Sequence, residues 1–231
     1  MTDISNWTCY YKHYHTDGNL CTSNVLYTPL VNPEGSVMCM LWDESHPYQK
    51  DNTSLTKDLV NFFFEREVKY LTRFQQFPWA AKILDLDIPN RRIFIEWNKE
   101  TVNNILYDKL GRSLDHECPT WKTQMFEILS SIVKLEHYKL SLYPHCFFIS
   151  KDGSLKAFDF YSTVDQEDRY IEKSKIQGMI GPQSSHRFDE VCTNGVLDLG
   201  MFFTNTLSTQ LSIYWPDNPF PEFKKRLFDN V

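Results

Sequence analysis

The residues with the clearest chemical potential stand in one stretch, Leu140 to Thr163. Two apolar runs, Cys146 to Ile149 and Leu155 to Phe158, flank Lys151-Asp152-Gly153-Ser154, and an Asp-Gly pair between apolar runs is a strong β-hairpin signal. Asp159 follows the second run directly, so one carboxylate leaves a buried strand where the chain must turn. A metal-binding or catalytic acid would sit there. An unpaired charge in such a place is costly, so Asp159 needs a partner: a divalent cation, or backbone amides or a nearby Arg or Lys. His145, just before the hairpin, titrates near neutral pH and is a candidate general base, although a histidine beside Pro144 in a loop also serves structure. Asp152 and Asp165 are the candidates for a second carboxylate.

In this order the residues resemble the core of the protein-kinase-like superfamily, in which a catalytic loop is followed by a hairpin and then Asp-Phe-Gly. There an Asp is followed after four residues by an Asn, and the Asp-Phe-Gly aspartate comes about thirteen residues after the Asn. Counting back from Asp159 places Cys146 at the Asn position and Ser141 at the catalytic Asp position, and Tyr161 stands where the glycine would be. The resemblance therefore implies a degenerate, catalytically damaged member. Mg²⁺ takes hard oxygen ligands, so a thiol is a poor exchange for an amide carbonyl, and Ser141 cannot accept a substrate proton as a carboxylate does.

The resemblance also implies ATP and Mg²⁺ as cofactors, with Asp159 as the metal ligand. Glu67 matches the helix glutamate that pairs with a strand lysine, and Glu96 and Asn98 fall in the hinge that would hold an adenine. The strand lysine itself is missing, since the third strand reads Val37-Met-Cys-Met-Leu-Trp42. Lys12 or Lys50 could supply a cation from elsewhere, or both are simply solvated. The short, aromatic-rich chain further resembles kinase-like proteins encoded by large tailed bacteriophages. Three functions are consistent with these residues. One is a pseudokinase that acts by binding nucleotide or protein. Another is an active atypical phosphotransferase or nucleotidyl transferase, with His145 and Ser141 at the catalytic positions. The last is a scaffold that binds a host protein without nucleotide.

These side chains need a framework to position them. Strands are predicted over Cys9 to His15, Val25 to Val31 and Val37 to Trp42, separated by the turn sequences Thr16-Asp17-Gly18-Asn19 and Asn32-Pro33-Glu34-Gly35. A helix follows over 54–77, with Ser54 as N-cap and Pro78 ending it. Strands Ala81 to Asp87 and Arg92 to Trp97 come next. From Thr101 the apolar period turns helical, predicting helices over Thr101 to Lys109 and Thr120 to Tyr138. A polar stretch, Asp165 to Lys175, precedes a last helix from Gly195 or Val196 to Leu211. The expected fold is α+β and two-lobed, kinase-like: residues 1–98 give an antiparallel five-stranded N-terminal lobe with one helix. Residues 99–231 give a reduced, mostly helical C-terminal lobe with the hairpin at about 146–158.

Composition narrows the partners. With 231 residues and 42% hydrophobic content the chain can bury a substantial core, and a formal charge of -6 argues against nucleic acid and anionic membrane as partners. The six cysteines are scattered singly, without Cys-x-x-Cys, as in a reduced cytosolic protein. The N-terminus has no signal-peptide pattern, and no run of about eighteen apolar residues occurs. A cytoplasmic location is the expectation.

Overall fold

The β-branched and aromatic runs before residue 98 pair as one antiparallel sheet. The computed structural model describes residues 2–10, 13–14, 20–21, 27–43, 56–98, 101–106, 111–139, 142–165, 168, 192–193 and 196–197. It divides into two compact units, Met1–Lys99 and Glu100–Val231. The fold is mixed α+β, and every strand pairing among the described residues is antiparallel.

In the first unit the predicted strand Cys9 to His15 is divided. Its start, β1 (Thr8–Cys9), joins the main sheet, whereas β2 (His13–Tyr14) pairs with β3 (Leu20–Cys21) in a separate hairpin. β4 (Thr28–Val31), β5 (Val37–Leu41), β6 (Ile83–Asp87) and β7 (Arg92–Glu96) complete the five-stranded sheet, in the order β1-β4-β5-β7-β6. Both faces of its centre are buried. On one, Cys9, Leu30, Cys39, Leu41 and Phe94 form a cluster covered by Ile4 and Trp7, with the Trp7 ring edge-on to Phe94 at 5.7 Å. The buried Cys39 thiol is pushed up to about 12 by that burial, so it is chemically inert.

The helix α1 (Lys57–Phe74) packs its Phe64 ring against Trp42, which follows β5, at 6.4 Å between centroids. Arg91, in the β6–β7 turn, reaches Asn61 Oδ1 at 2.9 Å. Val60, Phe63, Phe64, Tyr70, Leu71 and Phe74 are buried, each full burial being worth about 1.5–3 kcal/mol. The N-cap is Thr56, whose hydroxyl accepts from the Leu59 N–H; the predicted cap, Ser54, lies outside the described residues. The helix stops at Phe74, before Pro78. Gln75 turns the chain there by donating to the Ala81 carbonyl at 2.8 Å and accepting from the Ile83 N–H at 2.9 Å, which ties the helix end to β6.

In the second unit α2 (Val102–Leu106), α3 (Leu114–Glu117) and α4 (Trp121–Lys134) precede β8 (Tyr138–Lys139). The hairpin consists of β9 (Phe147–Ile149) and β10 (Leu155–Ala157), and β11 (Thr163–Val164) returns to pair with β8. α3 was not anticipated; Ser113 caps it by accepting from the His116 N–H. β12 (Cys192–Thr193) and β13 (Val196–Leu197) form a short pair, so Val196 and Leu197 are strand where the last helix was expected to begin; residues 198–211 lie outside the described residues. Among the described residues no helix is long and apolar enough to cross a membrane.

α4 buries Trp121, Met125, Ile128, Leu129, Ile132 and Val133, the stripe that its sequence period requires. It ends at Lys134, not Tyr138. Glu136 N–H donates to the Val133 carbonyl at 2.8 Å and His137 N–H to the Ile132 carbonyl at 3.1 Å, the paired bonds of a Schellman cap. That motif places Glu136 at φ 57, in the left-handed region, where an L side chain costs about 1–2 kcal/mol and glycine does not. Glu136 is exposed, so its side chain does not contribute core packing. Glu136→Gly is expected to raise stability by about 0.5–1 kcal/mol, read as a higher urea midpoint at unchanged slope.

Candidate functional site

The hairpin turn is built by its own side chains. Gly153 takes φ 80 and donates to the Ser150 carbonyl, while Asp152 Oδ1 accepts from the Ser154 N–H at 3.0 Å and the Ser154 hydroxyl at 2.7 Å. The Ser150 hydroxyl, the largest influence, and then Ser154 hold the Asp152 carboxyl well below the usual carboxylate range. Asp152 is therefore committed to the turn, at the far end of the hairpin from Asp159.

At the near end the strand ladder closes on Cys146. Phe158 N–H donates to the Cys146 carbonyl at 3.0 Å, and Asp159 is the first residue beyond it. Asp159 adopts φ 66, a left-handed conformation that Asp tolerates better than most residues. Its side chain is 2% exposed. A 3-10 turn, Pro144–Cys146, sets His145 and Cys146 side by side against it. Cys146 Sγ donates to Asp159 Oδ2 at 3.3 Å, and His145 Nε2 stands 3.9 Å from the same oxygen. His145 stacks on Tyr143 at 5.5 Å and keeps about a third of its side chain exposed, so the cluster opens to solvent on the imidazole side. Asp159 Oδ1 is buried with no hydrogen-bond partner among the described residues.

A cation lies beneath. The β8–β11 pairing sets Thr163 opposite Lys139, and this fully buried lysine donates from Nζ to the Asp159 backbone carbonyl. Its ammonium also sits 5.2 Å from the centre of the Phe160 ring. Burial is the largest influence on the Asp159 carboxyl and pushes it above the ordinary carboxylate value; the Lys139 charge and the Cys146 hydrogen bond pull the other way. Lys139 was missed in the sequence because a lysine in a short strand reads as solvent-facing.

No family model and no curated protein matches this chain. Among the described residues, His145, Cys146 and Asp159 are the His, Cys and acidic side chains that converge as a possible ligand set; their candidate atoms all lie within 4.8 Å of one another. Asp165 is buried, and its N–H donates to Asp168 Oδ2 at 2.9 Å, but neither it nor Asp152 belongs to that set.

The remaining predicted site residues are placed less tightly. Ser141, Lys12 and Lys50 lie outside the described residues. Glu67 is fully buried in the first unit. Glu96 accepts from the Lys82 N–H at 2.9 Å, a bond that closes the end of the β6–β7 pair. Asn98 is half-buried just after β7. As a Mg²⁺ site the cluster is a poor match: Mg²⁺ demands near-octahedral oxygen coordination, and imidazole, thiol and one carboxylate supply a single hard donor group.

Proposed function

We propose that the protein is a kinase-like binding protein, a pseudokinase that recognises a nucleotide or a protein partner without efficient phosphoryl transfer. The observation that carries the reading is the contact between Cys146 Sγ and Asp159 Oδ2 at 3.3 Å, across a separation of 13 residues. In the family that this stretch resembles, the residues at these two positions share a metal ion. Here the pair is adjacent, but the amide is replaced by a thiol. The antiparallel five-stranded sheet with its helix and buried Glu67, and the hairpin that delivers Asp159, support the same reading.

One observation favours an active alternative. His145 Nε2 lies 3.9 Å from a carboxylate oxygen while its ring is partly exposed, and an imidazole backed by a carboxylate can accept a substrate proton. Thermal shift with ATP, with and without Mg²⁺, tests the first reading. Saturation at about 100 times Kd adds about 2.7 kcal/mol of stability. A shift without labelled-phosphate turnover is the expected result. A shift with turnover that His145→Gln abolishes would establish the alternative, and no shift with any nucleotide would leave only protein binding.

A further inference from the structure

We propose that His145, Cys146 and Asp159 form a mononuclear site for a borderline-soft divalent cation of the zinc class, with one coordination position open to solvent or to an exogenous ligand. The site goes beyond the pseudokinase reading and does not depend on nucleotide binding. Its first support is distance. A tetrahedral ion with bonds of about 2.3 Å to sulfur and about 2.0–2.1 Å to nitrogen and oxygen has edges of roughly 3.3–3.6 Å. The Sγ to Oδ2 separation, 3.3 Å, lies at the short end of those edges and the Nε2 to Oδ2 separation, 3.9 Å, a few tenths of an ångström beyond them, so a small rotation of the partly exposed imidazole closes the set.

The second support is independent of the cluster's composition. Asp159 is almost wholly buried, yet Oδ1 has no hydrogen-bond partner among the described residues, in a residue held at φ 66. A buried carboxylate oxygen without a partner is costly, and such backbone strain concentrates at ligand sites. Lys139 does not compete for that carboxylate, because it donates to the backbone carbonyl instead. A bound cation would engage the carboxylate that the protein leaves incompletely satisfied.

Donor softness then selects the metal. One thiol, one imidazole and one carboxylate favour zinc, or cobalt as its spectroscopic substitute, over Mg²⁺ and Ca²⁺. Three protein ligands leave a fourth tetrahedral position, and the exposed third of His145 marks the side from which water or a ligand reaches it. On binding, the Cys146 S–H bond breaks, its electron pair forms the sulfur–metal bond, and the proton passes to solvent.

The test is titration of the full chain, stripped with chelator and without nucleotide, with Co²⁺ and then Zn²⁺. The expected result is one Co²⁺ per chain, with the intense visible absorption of tetrahedral cobalt and a near-ultraviolet thiolate charge-transfer band, both removed by equimolar Zn²⁺ and unaffected by millimolar Mg²⁺. Cys146→Ser should abolish the charge-transfer band. His145→Gln, at the most exposed ligand and so the variant least disturbing to the core, should weaken Zn²⁺ binding by more than the roughly 10–100-fold that loss of even an outer-shell partner costs. Octahedral cobalt without a thiolate band, or binding unchanged in both variants, would overturn the proposal. A failed metal titration beside an intact nucleotide shift would dismiss this site alone, and the reverse pattern would dismiss only the nucleotide-binding form of the pseudokinase reading.

Discussion

Lys139→Met is expected to destabilise the protein by about 3 kcal/mol, a fall in melting temperature of roughly 6–12 °C. Lys139 is fully buried, and its ammonium satisfies the Asp159 carbonyl while resting against the Phe160 ring. Methionine keeps the length and apolar character of the stem but leaves that carbonyl without its donor. It also removes the positive charge that opposes the effect of burial on the Asp159 carboxyl. The loss is therefore electrostatic and polar, not a packing defect. Adding Asp159→Asn should recover part of it, because the neutral amide no longer needs a compensating charge and Asn tolerates the left-handed backbone of that position. Urea denaturation of the two single variants and the double variant measures the coupling directly. A melting temperature unchanged by Lys139→Met would mean that the buried cation contributes nothing to the fold.

Phosphoryl transfer to peptide or protein substrates is expected to run at least about 10²- to 10⁴-fold below the roughly 1–100 s⁻¹ of ordinary protein kinases. On the pseudokinase reading proposed above, Ser141 stands where the general base would be and Cys146 offers a thiol where the resemblance calls for an amide. Of the acidic residues around the hairpin, Asp152 is committed to the turn, while Asp165 stands outside the cluster around Asp159. Labelled-ATP turnover measures this in a single assay. A rate in the ordinary kinase range would overturn the pseudokinase reading, and its loss in His145→Gln would identify His145 as the substitute base.

The hairpin was legible because its information is local. Asp152 and Gly153 specify the turn by hydrogen bonding and by a positive φ, and the apolar runs on either side specify strands. The same holds for α4, whose six buried residues recur at helical spacing from Trp121 to Val133. Its end was not legible. The Schellman cap uses glutamate where glycine is the usual signal, so periodicity carried the predicted helix on through Tyr138. The division of the first predicted strand was equally hidden: Thr8 and Cys9 belong to the main sheet because Val31 and Leu30 pair with them, a choice made by partners and not by propensity.

By itself, then, the sequence determined where chain direction and period change: the strands around the sheet, the stripe of α4, the hairpin, and a carboxylate leaving a strand at Asp159. It also set Cys146 in the register that meets that carboxylate. Only the tertiary structure decided what surrounds Asp159. Lys139 lies 20 residues away and reaches the Asp159 backbone carbonyl only because β11 folds back on β8, and the imidazole of His145 faces the carboxylate oxygen Oδ2 only because a 3-10 turn closes the loop before β9. Turn and helix signals depend on residues a few positions apart, which a sequence displays directly. Burial and charge compensation depend on atoms brought together by chain closure over tens of residues, and a lysine carries no local mark of whether its ammonium will end in water or beneath a buried aspartate.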